Sequence, residues 1–118
     1  MATFGEILAE LRRDKHLTQR ELADTLHVSV STISNYEQGV HLPDIEKLLE
    51  VSDYFHVTTD YLLGRCSYDI SPDAFLEPVT AGKTVGDFIQ EIRRLPTDRK
   101  EALHATVLQY NQRDRDAE

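Results

Sequence analysis

The run from Ser29 to Gln38, SVSTISNYEQ, concentrates short side chains that donate and accept hydrogen bonds. Laid out at about 100° per residue, it puts Ile33 toward a core with Glu37 beside it, while Ser31, Asn35 and Gln38 point the opposite way and Thr32 and Ser34 flank them. That outward side suits the edges of base pairs. An asparagine amide can meet adenine through two parallel bonds, serine and threonine bond to several bases, and a valine can touch a thymine methyl. Base contacts are therefore assigned to Val30, Ser31, Ser34 and Asn35. Phosphate contacts are assigned to Thr18, Gln19, Ser29, Thr32, Gln38 and His41, through polar side chains or the N–H groups left open at helix starts.

Other chemistries fail on spacing. Ser31 and Ser34 have no neighbouring base, and the carboxylates are spread as solvated helix faces, so no residue is assigned a catalytic role. The five histidines show no ligand spacing with one another or with Cys66, the single cysteine, so neither a metal nor a cofactor is expected. Cys66 has no partner for an internal disulfide and is read as a passive residue. Gly82-Lys83-Thr84 ends like a phosphate-binding loop, but Glu77 occupies the place of that loop's first glycine and no strand is read before it.

The elements that must hold the polar run are written locally. Thr18 and Glu21 form a capping box that opens a helix with an apolar face of Leu22, Ala23 and Leu26. His27 and Val28 break the pattern, Ser29 caps the next helix, and Gly39 supplies the left-handed residue that ends it. Two short helices joined by a turn of a few residues make a helix-turn-helix. Before them, Phe4, Ile7, Leu8 and Leu11 repeat at helical spacing and run into the basic Arg12, Arg13 and Lys15, where cations favour a helix C-terminus. After Pro43, Ile45, Leu48, Leu49 and Ser52 to Phe55 repeat that spacing, and Thr58 and Gly64 bracket a last short helix.

With these residues in place, Met1 to Arg65 resembles the Cro/Xre-type helix-turn-helix domain of phage and bacterial repressors. The likeness lies in LTQ at Leu17 to Gln19, ELA at Glu21 to Ala23, VS at Val28 and Ser29, the STIS and YEQG runs through Gly39, LP at Leu42 and Pro43, and VTTDYLLG at Val57 to Gly64. The resemblance implies an all-α, five-helix, lambda-repressor-like domain that binds double-stranded DNA. It further implies a dimeric transcriptional repressor on an inverted-repeat operator, and an ion pair of structural purpose between Arg12 and Glu37. Two other classes stand beside it: an antitoxin-like regulator whose C-terminal hairpin grips a partner protein, and a protein-interaction module that keeps the fold without binding DNA.

The remaining chain reads as a 66–83 linker with two prolines and a glycine, a helical hairpin over 84–112, and a frayed tail over 113–118. Val85, Phe88, Ile89 and Ile92 make one apolar stripe of the hairpin, and Leu103, Val107 and Tyr110 make the other. A hairpin this small cannot bury both stripes alone, so these seven residues are assigned to homodimer formation. No apolar run reaches membrane length and the start does not read as a signal peptide, so a cytoplasmic, nucleoid-associated protein is expected.

Charge runs against easy binding to a polyanion. The 118 residues carry a net charge of −8. Residues 1–66 hold six Lys/Arg against eleven Asp/Glu, and 67–118 hold seven against ten. Ser29 to Gln38 contains neither lysine nor arginine. Affinity must then rest on neutral hydrogen-bond donors and on two copies acting together.

Overall fold

The computed structural model describes residues 2–117; Met1 and Glu118, named above within the first domain and the tail, lie outside the described residues. Up to Pro72 the chain forms one compact unit of five helices: α1 (Phe4–Asp14), α2 (Gln19–Leu26), α3 (Val30–Gln38), α4 (Ile45–Phe55) and α5 (Thr59–Leu62). Each begins behind an extended residue whose side-chain oxygen takes a first-turn N–H, namely Thr3, Thr18, Ser29, Asp44 and Thr58. That repeated device fixes the starts, because each cap satisfies a donor the helix itself leaves unpaired. The ends are set by left-handed residues: Gly39 closes α3 at φ 79°, while His27 and His56 close α2 and α4 at φ 58° and 55°.

The core takes one fully buried side chain from every helix: Leu8, Leu22, Ile33, Val51 and Leu62. Phe4, Ile7, Ala23, Leu26, Tyr36, Phe55 and Val57 complete it. α1 and α2 both pack on α3, and the α1 contact is close enough to exclude a side chain at Gly5. A Cβ there would stand 2.4 Å from the Tyr36 carbonyl oxygen. The Phe4 and Tyr36 rings meet edge to face at 6.1 Å on the same seam.

In α4 the buried side differs from the sequence reading. Val51, Ser52 and Phe55 are buried and Leu48 packs beside them, whereas Ile45 is 77% and Leu49 51% exposed. Two apolar stripes overlap in this helix, and hydrophobicity alone cannot say which of them packs against α2 and α5. With Val40 and Leu42, Ile45 and Leu49 are among the exposed large side chains of this unit.

The second unit, from Asp73 on, contains more than a linker and two helices. A 3-10 turn (Pro72–Leu76) leads into an antiparallel pair, β1 (Pro78–Thr80) and β2 (Lys83–Thr84), and then α6 (Val85–Arg93) and α7 (Thr97–Ala117). Strands of three and two residues are too short to leave a period-two signature; the turn between them carries Gly82 at φ 73°. α6 packs on both strands, and Gly86 lets its first turn approach the Phe75 carbonyl. Thr84 caps α6 in a closed box with Asp87, so the Gly-Lys-Thr stretch serves a helix start. α7 continues to Ala117, through most of the 113–118 segment expected to fray. Arg113 lies over the Tyr110 ring and Gln112 donates to Asp116, contacts at helical spacing that support the last turns. Among the described residues no helix is long and apolar enough to cross a membrane.

Candidate nucleic-acid interface

α3 turns two faces in different directions. Ile33 and Tyr36 are buried, Ser31 and Gln38 are exposed, and Thr32, Ser34 and Asn35 are half-exposed. Among the described residues the Ser31 hydroxyl and the Asn35 amide have no intramolecular hydrogen-bond partner, so both retain their full bonding capacity. Ser34 Oγ accepts from Gln38 Nε2 at 3.1 Å, which ties these two into one polar ridge. Val30 is half-buried against the core, leaving only part of its surface for a thymine methyl.

The groups assigned to phosphates divide in the same way. Ser29 Oγ accepts the Thr32 N–H at 3.1 Å and lies 2.8 Å from the Thr32 hydroxyl, so both side chains first serve the start of α3. Thr18 N–H donates to Glu21 Oε1 at 3.1 Å. That N–H is therefore taken, and a carboxylate sits where the open helix start was expected to meet an anion. Gln19 Nε2 donates to Glu37 Oε1 at 3.0 Å; its second N–H and its carbonyl have no partner among the described residues. His41 is exposed in the turn after α3.

Behind this face lies a charged clamp. Arg12 Nε donates to Glu37 Oε2 at 2.7 Å, its Nη2 to Oε1 at 3.1 Å, and its Nη1 to the Leu17 carbonyl at 2.8 Å. The side chains are 13% and 7% exposed. Planar guanidinium and carboxylate meet as two forks, the strong geometry for such pairs. The Glu37 carboxylate raises the Arg12 pKa further, against the opposing effect of burial. Together with Gln19, the pair joins the end of α1, the start of α2 and the last turn of α3. Sequence spacing had not revealed the Gln19 bond, the burial of Tyr36, which raises its phenol pKa, or the tight approach at Gly5.

Comparison with known proteins agrees with this geometry. A helix-turn-helix family model matches residues 8–62. The transcriptional regulator ImmR of Bacillus subtilis (strain 168) is 34% identical over 91 residues, covering 77% of this chain and 68% of its own length. The transcriptional repressor RstR of the cryptic phage CTXphi in Vibrio cholerae is 32% identical over 60% of this chain and 63% of its own. Among solved structures, the P22 c2 repressor in complex with synthetic operator 9T is similar over 56% of this chain and 100% of its own, at TM-score 0.53 and 29% identity. A transcriptional regulator from Listeria innocua has a similar fold over 93% of this chain and 94% of its own, at TM-score 0.53 and 24% identity.

The chain belongs to the Cro/Xre-type helix-turn-helix transcriptional regulators. This is a family of DNA-binding proteins and not of enzymes.

Proposed function

We propose that the protein is a dimeric repressor that reads an inverted-repeat operator by laying α3 in the major groove. The observation that carries this reading is the two-faced α3: Ile33 and Tyr36 anchor it in the core, and Ser31 and Asn35 face outward with no side-chain partner among the described residues. A helix held by its own core and offering unspent amide and hydroxyl groups can read base edges at little cost in ordering. In this reading Val30, Ser31, Ser34 and Asn35 touch bases, and Thr18, Gln19, Ser29, Thr32, Gln38 and His41 approach phosphates. In this reading the protein acts in the cytoplasm, associated with the nucleoid.

Dimerisation is assigned to the second unit. Phe88 is 37%, Ile89 39%, Val107 42% and Tyr110 62% exposed, with Val85, Ile92 and Leu103 half-buried alongside. Large apolar groups left in water favour a partner, and a second copy supplies the matching stripe. Two copies related by a two-fold axis then meet half-sites about one helical turn apart.

Selection of bound fragments from random DNA, followed by footprinting, tests the reading. Two protected half-sites are expected, with Ser31→Ala and Asn35→Ala changing base preference. Gln19→Ala should weaken all sequences alike, because phosphate contacts position and base contacts specify. Equal losses on every sequence for all three variants, or a single asymmetric half-site, would overturn it. Phe88→Asp should dissociate the dimer in sedimentation; a variant that stays dimeric removes the second unit from that role.

A further inference from the structure

We propose that Arg13 grips a DNA phosphate beside α3 and supplies the main salt-dependent part of operator binding. This assignment rests on the operator reading above. Arg12 and Arg13 are neighbours in the last turn of α1, yet about 100° apart around its axis, and their environments are opposite. Arg12 is turned inward and held by Glu37 and Leu17. Arg13 is exposed and has no ion pair among the described residues.

What Arg13 faces is a groove of about 540 Å³ whose lining includes Glu6, Glu10, Arg13, Gln19, Glu37 and Gln38. Two of these, Gln19 and Gln38, are assigned to the DNA backbone on independent grounds, so the fold brings a free guanidinium to the same rim. Glu37 adds no net repulsion there, because Arg12 neutralises it. Glu6 accepts from the Thr3 hydroxyl at the far end of α1, about 10 Å along the helix axis from Arg13. Glu10 is one turn from Arg13 and opposes it. The phosphate is therefore placed at the Arg13 end of the groove, between the amides of Gln19 and Gln38. Because α3 itself has no cation, a single guanidinium at this rim carries weight that it would not have on a basic surface.

The test uses the full-length chain and the DNA fragment selected from random sequence, titrated over a range of salt. Arg13→Gln should lower affinity about 3- to 10-fold near 0.1 M salt on every sequence alike, and make the plot of log K against log salt shallower by about 0.9 per half-site. Arg13→Lys should restore the slope. Glu10→Gln should act in the opposite direction and tighten binding. Lys100→Gln, in α7, makes the same change in net charge and should leave the slope alone. An unchanged slope in Arg13→Gln, or an equal change in Lys100→Gln, overturns the assignment while the operator reading stands. A parent chain that binds no selected DNA overturns both.

Discussion

Replacing Gly5 by alanine sets two effects of opposite sign against each other. Gly5 is the second residue of α1, where alanine is favoured over glycine by at most the helix-interior figure of about 1 kcal/mol. The new Cβ, however, would stand 2.4 Å from the Tyr36 carbonyl oxygen and 2.6 Å from that of Glu37. Both are main-chain atoms, which no change of rotamer can move aside. Ordinary contact begins at 3.4 Å, so α1 and the last turns of α3 must part by about 1 Å. That opens the seam of Phe4, Leu8, Ile33 and Tyr36. Overpacking costs typically about 1–3 kcal/mol, and a clash with main chain belongs at the upper end. The net expectation is a loss of about 2 kcal/mol, and for a unit of this size each kcal/mol lowers Tm by roughly 4–8 °C. Thermal and urea unfolding followed by circular dichroism measures it. A variant as stable as the parent, or more so, would refute the reasoning, because helix propensity would then have outweighed the contact between α1 and α3.

Three further outcomes follow from particular contacts. Removing Arg12 leaves Glu37 almost buried with Gln19 as its remaining side-chain partner among the described residues, so Arg12→Ala should cost about 3 kcal/mol; in a double-mutant cycle with Glu37→Ala, a coupling near zero would show that the clamp does not hold α1 to α3. His27 and His56 occupy left-handed backbone at helix ends, where glycine carries no steric penalty, so His27→Gly and His56→Gly should each stabilise by about 0.5–1 kcal/mol; a lower Tm in either variant contradicts this. The Thr84 N–H and hydroxyl both donate to Asp87 and hold its pKa below the usual carboxylate value. A depressed pKa adds stability that is present above the ordinary carboxylate range and lost as pH falls through the lowered value. The Thr84 amide resonance should therefore shift in acid and not near neutrality, and Asp87→Asn should abolish that shift.

Local chemistry wrote the starts and stops of the first five helices into the chain. Thr18 with Glu21, Ser29 with its first turn, and Gly39 after Gln38 act within three or four residues of themselves, so neighbouring sequence is enough to read them. The same is true of the polar side of α3, where Ile33 alone marks the inward direction. The match to a known pattern supplied the Arg12–Glu37 pair, which lies 25 residues apart and which no local rule would have joined. Tertiary structure decided the rest. Tyr36 goes inward because Phe4 is there to meet it, Gln19 spends an N–H on Glu37 18 residues away, and Gly5 must be glycine because α3 passes against it. In α4, Ile45 and Leu49 made as good a stripe as Val51 and Phe55; the choice fell to the helices that pack beside it. The strands around Gly82 are too short to have a period, and only their pairing with each other and the seat they give α6 define them. An element appears in the sequence when its hydrogen bonds close within a turn, and waits for the fold when its partner lies far along the chain.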